Sequence, residues 1–427
     1  MRRPRQVTLM QAAAASRPRH KITSMDFAPR IVTWQRSHGR HDLPWQNTRD
    51  PYRIWLSEIM LQQTQVTTVI PYYERFLERF PDLAALAAAQ QDEVMPYWAG
   101  LGYYARARNL HRCAQEIVRD WDGRFPPDAE TIATLPGIGR STAAAIAAFA
   151  YGETSPIMDG NVKRVFTRHF GIAGDPSKRD VETRLWTLAE EQVAAAPADA
   201  AILSVIAAAG GANTAPSQSD AASSKPRARK DPGVSATDAV AGYMASYTQG
   251  LMDLGATLCT RGKPDCPRCP VQATCVARIE GRQAELPTPK VRKATPERST
   301  GMLVLRHAGR VLLQQRPSPG IWGGLWSLPE FDPALDPAMA CEALGAQPGA
   351  VSELAAFAHT FTHFRLHVRP WFVTLKEAPS TTGEQPAAPM PQRWVDEADL
   401  AHVALPAPVR KLLDGLFAAG LPHMLPA

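Results

Sequence analysis

Four of the six cysteines lie in one short run with the spacing C-x6-C-x2-C-x5-C: Cys259, Cys266, Cys269 and Cys275. Thiolates this close in sequence can converge on one metal centre, and the prolines between them stiffen the loop that must wrap around it. A structural zinc site would usually have two close cysteine pairs, whereas only Cys266 and Cys269 form one. The spacing therefore favours an iron–sulfur cluster of the four-iron type, with zinc as the alternative, and it predicts a reducing compartment.

The length and charge of the chain limit its class. Its 427 residues allow two or three domains. No apolar run approaches the ~20 residues of a membrane span, so we expect a soluble protein. The formal charge is +6, and residues 1–25 carry six basic side chains and no acid, which leaves the rest about neutral. We interpret residues 1–27 as a disordered basic tail, with a transit peptide or a start at Met25 as alternatives.

The first part of the chain has the pattern of a helical domain. From about Ile31 to Gly210, apolar positions recur at helical spacing between Pro and Gly residues. Residues 207–239 are poor in large apolar side chains, so we interpret them as a disordered insertion. Helical periodicity returns at Tyr243 and leads directly to the cysteines. Residues 28–280 are therefore predicted to form one mainly α domain.

The last third has a different pattern. Residues 281–298 are rich in Pro, Lys and Arg and are predicted to form a linker. From 299 to 427, short apolar runs alternate with turn signals. We expect a hairpin turning near Ala308 and Gly309, strands within LHVRPWFVTL and QRWV, and a helix over 408–417. The C-terminal domain is therefore predicted to be α+β.

The segment LPGIGRSTAAAIAAFA, residues 135–150, combines a tight bend with a strongly helical stretch. Gly137 and Gly139 place the backbone N–H groups up to Ser141 at a helix N-terminus, where they can bind a phosphate. A plain helix–loop–helix connection would need the same glycines. The basic segment DGNVKR that follows favours DNA binding.

Together these motifs resemble the helix-hairpin-helix DNA glycosylases with a [4Fe–4S] cluster: LPGIGRSTA, then PIMDGNVKR, then the four-cysteine loop. The segments WLSEIMLQQTQVTTVIPYYERF (55–76) and GLGYYARARNLH (100–111) are most similar to the MutY adenine DNA glycosylases, which remove adenine mispaired with 8-oxoguanine. The resemblance implies a two-lobed helical catalytic region, a Nudix-like C-terminal domain and base excision repair. It also implies a monomer that acts on double-stranded DNA in the bacterial cytoplasm, at the nucleoid, at adenine opposite 8-oxoguanine or guanine.

One position separates two branches of this superfamily. Where the similar endonuclease III branch has a lysine that attacks the sugar, this chain has Ser141. The resemblance therefore implies a monofunctional glycosylase with water as the final nucleophile. Lys163 is nearby in sequence, so weak lyase activity and an endonuclease III-like glycosylase/lyase remain alternatives.

Glu58 is the candidate general acid. On a helix, its neighbours Ile54, Trp55 and Leu61 form a largely apolar face, where desolvation should raise the pKa of the carboxyl group and keep it protonated. A partly solvated glutamate at a helix edge is the alternative. In the MutY-like enzymes this glutamate protonates the purine N7.

Asp159 is the candidate second carboxylate. Before Gly160 it could simply cap a helix. The match of PIMDGNVKR to the family implies instead that it stabilises the developing oxocarbenium ion, with Asn161 as its hydrogen-bonding partner. Glycosidic cleavage generally uses two carboxyl groups in opposite protonation states.

The candidate contacts to an extruded base and its unpaired partner all follow Glu58 in the sequence. By resemblance, Gln62 and Tyr103 contact the exposed base edges and the vacated stack, and Gln63 and Lys163 also contact DNA. Tyr104 is as well explained as a core residue. Arg106 and Arg108 are interpreted as solvated or phosphate-binding side chains.

The C-terminal domain resembles a Nudix fold without its catalytic helix. Only Glu342 follows GLWSLPEF where a carboxylate set would bind Mg²⁺. The resemblance therefore implies recognition without hydrolysis, through a loop that reads Phe-Ser-His in the family and Phe361, Thr362 and His363 here. A non-catalytic iron–sulfur DNA-binding protein and a nucleotide pyrophosphatase are the remaining alternatives.

Overall fold

The computed structural model describes residues 27–202, 235–290, 294–318, 320–377 and 390–420. The predicted basic tail lies outside these ranges apart from Phe27, which instead begins the first helix. The predicted insertion lies outside them up to residue 234. Within the described ranges, no helix is long and apolar enough to cross a membrane.

The first part of the chain is helical, as predicted. In chain order its helices are α1 (Phe27–His38), α2 (Pro51–Leu61), α3 (Val66–Arg79), α4 (Leu83–Ala88), α5 (Gln91–Trp98), α6 (Ala105–Asp120), α7 (Ala129–Ile132), α8 (Arg140–Tyr151), α9 (Gly160–His169), α10 (Arg179–Ala194), α11 (Ala236–Asp253) and α12 (Val276–Ile279). Helix α11 begins earlier than expected. Ser235 caps it by accepting a hydrogen bond from the N–H of Asp238, so residues 236–239 form a first helical turn and were wrongly assigned to the insertion.

Helix α8 lies between two hydrophobic cores, which explains why its sequence is apolar on nearly every side. Ala143 and Ile146 belong to the core built from α2 to α7, whereas Ala144 and Ala145 belong to the core of α1, α9, α10 and α11. The α8 N-terminus therefore lies at the junction of the two lobes.

The C-terminal domain is built on a mixed sheet. Its elements are β1 (Glu297–His307), β2 (Arg310–Gln315), β3 (Trp326–Ser327), β4 (Glu330–Phe331), α13 (Pro337–Glu342), β5 (Pro348–Glu353), β6 (Phe357–Thr360), β7 (Arg365–Leu375), β8 (Gln392–Val395) and α14 (Ala407–Ala418). The main strand order is β3-β2-β1-β7-β5, with β1 and β7 parallel. The predicted strands and final helix are confirmed, although β1 begins two residues before the predicted domain start.

The hairpin between β1 and β2 turns at the predicted residues. Ala308 and Gly309 have φ values of 46° and 79°, as a two-residue turn between twisted strands requires. Successive β1 residues face opposite sides of the sheet: Met302 and Val304 join the core that continues into the helical region, and Leu303 joins a second core with α13. The short α13 ends at Glu342, so the described residues contain no long carboxylate-rich helix at this point.

Candidate active site and DNA interface

Glu58 lies on α2 in the wall of a cavity of about 470 Å³. The two helical neighbours Ile54 and Trp55 are buried, as predicted. Burial, and secondly the nearby carboxylate of Asp159, raise the pKa of Glu58 to about 8. The carboxyl group is therefore mainly protonated at neutral pH, and the two acidic residues that are far apart in sequence lie close together.

Several other residues of this cavity were not predicted from the sequence. Trp45 is buried against it, and His41 and Gln46 also line it. Their segment, HDLPWQ, has no periodicity or motif that indicates a site. The opposite wall comes from α11 through Ser246 and Gln249, so the cavity spans both lobes.

Asp159 caps α9, and its charge contributes to the raised pKa of Glu58. Its carboxylate accepts a hydrogen bond from the N–H of Val162 at 2.7 Å and one from Nδ2 of Asn161 at 3.3 Å. Burial raises the pKa of Asp159, although these hydrogen bonds and the charge of Arg164 oppose the shift. The helix cap and a catalytic carboxylate are therefore not alternatives, because one side chain can do both.

Asn161 is held in turn by Arg164, a residue whose role was not predicted from the sequence. Arg164 Nη2 donates to Oδ1 of Asn161 at 2.8 Å and to the carbonyl of Gly255 at 2.7 Å, and its Nε donates to the carbonyl of Cys259 at 2.7 Å. Gly255 lies in a π-helical turn, Leu254–Leu258, and a Cβ added there would be 2.5 Å from the Cβ of Asn161. A continuous set of contacts therefore joins Asp159 to the cysteine loop.

Ser141, which separates the two branches, lies on α8, and Lys163, the alternative amine, lies on α9. Ser141 Oγ accepts a hydrogen bond from the backbone N–H of Met158 at 2.9 Å. Lys163 forms an ion pair with Glu182, with 2.6 Å between Nζ and Oε1. Both polar groups therefore have partners within the protein.

The two glycines of the predicted hairpin are each needed for a different structural reason. Gly137 has φ = 78°, and a Cβ there would be 2.6 Å from the Cβ of Asn109. Gly139 is the N-cap of α8, and a Cβ added to it would have no atom within 4 Å, so a ligand can approach its backbone closely. This geometry suits the predicted phosphate contact.

Gln62, Gln63 and Tyr103 line a second cavity, of about 720 Å³, between the helical region and the C-terminal domain. Gln63 and Tyr103 have φ values of 57° and 48°, in the left-handed region that side chains rarely adopt. Tyr103 is 42% exposed, whereas Tyr104 is 8% exposed and its hydroxyl accepts a hydrogen bond from the N–H of Gly100. Tyr104 is therefore mainly a core residue that lines the cavity only at its edge, and Tyr103 is the exposed aromatic side chain of this loop.

The interpretation of Arg106 as a solvated or phosphate-binding residue was wrong. Its guanidinium group is largely buried and donates to the end of α2 and to the loop that carries Tyr103. The acceptors are the carbonyl oxygens of Ile59, Met60, Gln62, Leu101 and Gly102 and the hydroxyl of Thr64. Arg108 also differs from the prediction, because it donates to the carbonyl of Gly323 in the C-terminal domain.

Because Arg106 holds two loops together, Arg106→Lys should lower the free energy of unfolding by about 2 kcal/mol or more, as an ammonium group cannot reach all the acceptors. Urea denaturation measures the effect. Arg112→Lys is the control, since Arg112 is exposed on the same helix and bonds to Asn109. Equal losses in the two variants would contradict the assignment of a joining role to Arg106.

The predicted recognition loop connects β6 to β7 and lines the same cavity as Tyr103. Phe361 is stacked on Phe364 with ring centroids 4.7 Å apart, and Trp322 packs against it at 5.3 Å. Thr362 and His363 are exposed. The chain therefore brings Gln62, Gln63, Tyr103 and this loop, which are distant in sequence, to one cleft.

The four clustered cysteines are free thiols that line one cavity of about 30 Å³. Two side-chain donors point at the sulfurs, Arg168 Nη1 to Cys259 at 3.5 Å and Gln283 Nε2 to Cys266 at 3.9 Å. Such donors suit anionic sulfur ligands. Across the described ranges, no three His, Cys, Asp or Glu side chains are arranged to hold a single metal ion, so the thiols face a shared space rather than one point.

Comparison with known proteins agrees with this architecture. The model for the HhH-GPD superfamily of base excision DNA repair proteins matches residues 56–191, and the NUDIX domain model matches residues 300–415. An adenine DNA glycosylase of Buchnera aphidicola subsp. Acyrthosiphon pisum is 30% identical over 92% of this chain and 98% of the relative. This chain belongs to the adenine DNA glycosylase family.

The human adenine DNA glycosylase is also 30% identical to this glycosylase, over 96% of the chain and 78% of the relative. A solved structure of a thermostable thymine-DNA glycosylase has 26% identity and a TM-score of 0.45, and it covers 60% of this chain and 97% of that one. The matched HhH-GPD region of the glycosylase contains Glu58, Ser141 and Asp159, and the matched NUDIX region contains Phe361. The predicted MutY-type combination of domains is thus confirmed.

Proposed function

We propose that this glycosylase hydrolyses the N-glycosidic bond of adenine opposite 8-oxoguanine or guanine in double-stranded DNA, as a monomer in the bacterial cytoplasm at the nucleoid. The observation that carries the proposal is a protonated glutamate, Glu58, in a cavity wall beside the carboxylate of Asp159. These are the two protonation states that glycosidic cleavage requires.

In the proposed reaction, Glu58 transfers its proton to N7 of the extruded adenine. The C1′–N9 bond then breaks and its electron pair leaves with the base. Asp159 stabilises the positive charge that develops on the sugar, and Asn161 and Arg164 keep its carboxylate oriented. A water molecule adds to C1′ and leaves an abasic site, and its proton restores Glu58.

The absence of an amine at position 141 supports a monofunctional reaction. A hydroxyl group such as that of Ser141 forms no imine with an abasic sugar, whereas an amine does. Lys163, the alternative amine, forms an ion pair with Glu182. We therefore propose that strand cleavage is not part of the reaction.

We further propose that the cleft between the domains holds the base opposite the adenine. Gln62, Gln63 and Lys163 would contact DNA, and Phe361, Thr362 and His363 would read the lesion. The support is that Gln62, Gln63, Tyr103 and the recognition loop line one cavity. Thr362 keeps the hydroxyl of the serine found in the family, so hydrogen bonding to the lesion remains available.

The direct test uses duplexes that contain adenine opposite 8-oxoguanine, adenine opposite guanine, or thymine glycol. Strand breaks are scored before and after hot alkali. Breaks only after alkali in the adenine duplexes are expected. Cleavage at thymine glycol without alkali would place the enzyme with the endonuclease III type instead.

Lesion reading predicts a selective effect of Phe361→Ala. Loss of the ring should lower the preference for 8-oxoguanine over guanine by about tenfold, because one well-packed aromatic contact is worth roughly 1–3 kcal/mol. Single-turnover rates on the two duplexes give the ratio. Leu335→Ala, an exposed change in the same domain, is the control. An equal loss on both duplexes would contradict a lesion-specific role.

We propose that Cys259, Cys266, Cys269 and Cys275 hold a [4Fe–4S] cluster, which supplies a fixed framework for the exposed basic residues Arg261, Lys263 and Arg268. The purified protein should contain iron and acid-labile sulfide in roughly equal amounts, about four of each per chain. Cys269→Ser should lose them and bind DNA more weakly, whereas Cys113→Ser should retain them. One zinc ion per chain without sulfide would overturn the proposal.

A further inference from the structure

The hydroxyl group of Ser141 already has a protein partner one residue before the candidate catalytic carboxylate. Ser141 is the second residue of α8, and its Oγ accepts the N–H of Met158 at 2.9 Å. Met158 directly precedes Asp159. The first turn of the hairpin helix is therefore tied to the segment that delivers Asp159 to the site.

That segment is otherwise held before Asp159 by Glu153, which accepts the N–H of Ala129, and by the packing of Ile157 and Met158 in the core. Residues 152–159 connect α8 to α9 without regular secondary structure. Met158 is 4% exposed, so its N–H group needs a partner within the protein, and leaving it without one costs about 1–3 kcal/mol. After Asp159, the helix cap and Asn161 fix the chain.

We infer that Ser141 is a positioning residue: its hydroxyl holds Met158, and thereby holds the Asp159 carboxylate beside Glu58. The inference rests on the proposed role of Asp159. It is compatible with the expected phosphate contact of this turn, which was assigned to backbone N–H groups rather than to the Ser141 side chain. The backbone N–H groups of this turn remain available for that contact.

The hydroxyl at position 141 therefore contributes to the positioning of Asp159, in addition to the effect of having no lysine there. A reacting group displaced by as little as ~1 Å can lose about 100-fold in rate, since catalysis depends on near-attack geometry. Removal of the hydroxyl should thus affect the chemical step much more than the affinity for DNA. A side chain that only contacted phosphate would show the opposite pattern.

The test compares Ser141→Ala with Ser141→Thr, which restores a hydroxyl, and with Thr183→Ala on the exposed side of α10. Single-turnover excision measures the chemical step, and binding to a duplex with an abasic analogue measures affinity. Ser141→Ala should react about 10- to 100-fold more slowly, with affinity within about threefold of the parent. Ser141→Thr should recover most of the rate.

Hydrogen exchange at the Met158 amide provides a readout that does not depend on activity. It should be faster in Ser141→Ala than in the parent and in Ser141→Thr. Unchanged exchange in Ser141→Ala, or lost affinity at an unchanged rate, overturns the inference. If Ser141→Ala does not fold, Ser141→Cys, which retains the shape with a weaker acceptor, replaces it under the same criteria. An inactive parent enzyme would contradict the proposed function, whereas the exchange result would still decide the role of Ser141.

Discussion

Replacing Glu58 with glutamine should lower the single-turnover rate of adenine release by about 10²- to 10⁴-fold, the range for loss of a general acid. Glutamine keeps the shape of the side chain and fills the same place in the cavity wall, so affinity for DNA should change little. The measurement is base release from an adenine:8-oxoguanine duplex at saturating enzyme. Glu74→Gln, an exposed change on α3, is the matched control.

The pKa of Glu58 gives this prediction a pH dependence. Burial and the charge of Asp159 raise it from 4.5 to about 8, so the acid is available at neutral pH and is lost as the pH rises through 8. The rate should fall in that range for the parent enzyme. The assignment of Glu58 as the general acid would be wrong if Glu58→Gln released adenine at the parental rate. It would also be wrong if the rate of the parent enzyme did not change through pH 8.

The raised pKa of Glu58 also makes the free energy of unfolding depend on pH, in a direction that can be predicted. A carboxyl group whose pKa is higher in the folded than in the unfolded protein makes its full contribution to stability at a pH below its unfolded-state pKa. That contribution is lost as the pH rises through its folded-state pKa. For Glu58 the loss falls between about pH 4.5 and 8. Glu58→Gln should therefore gain stability relative to the parent across this interval, as urea midpoints at several pH values would show.

Asp159→Asn should lower the rate of adenine release by about 10²- to 10³-fold, as expected when one electrostatic stabiliser of the transition state is removed. Asparagine is as good a helix cap as aspartate, so α9 should keep its N-terminus. The substitution therefore separates the charge of Asp159 from its structural role. Single-turnover excision and the melting temperature together measure the two effects.

Asp159→Asn also removes the charge that helps to raise the pKa of Glu58. The fall in the residual rate with rising pH should consequently begin at a lower pH than in the parent. Asp128→Asn, a cap on the short helix α7, is the control for loss of a capping carboxylate elsewhere. A strongly reduced melting temperature with an unchanged rate per folded molecule would identify Asp159 as a cap alone.

The parts of the fold and of the site that depend on neighbouring residues in the chain could be predicted from the sequence. Helical periodicity and turn residues indicated the all-α first part, and the Ala308–Gly309 turn was predictable because glycine readily adopts the positive φ that such a turn requires. The apolar neighbours of Glu58 on one helix similarly predicted its raised pKa. The start of α11 was missed because Ala- and Gly-rich composition does not separate a helix end from an insertion.

The remaining parts depend on contacts between distant segments. Nothing near Arg106 in the sequence indicates that it donates to the carbonyl oxygens of α2, more than forty residues earlier. Arg164 likewise joins Asn161 to a carbonyl in the cysteine loop. Arginine patterns suggested phosphate contacts because buried and exposed arginines look alike in a sequence, and only the fold supplies the competing acceptors.

The position of α8 between the two hydrophobic cores has a consequence for folding. Ala143 packs into one core and Ala144 into the other, so neither lobe can lose its packing without exposing part of a helix that the other lobe needs. The two lobes should therefore melt in a single transition rather than one after the other. An enzyme whose catalytic cavity spans both lobes is in this way protected from a half-unfolded form that binds DNA without releasing the base.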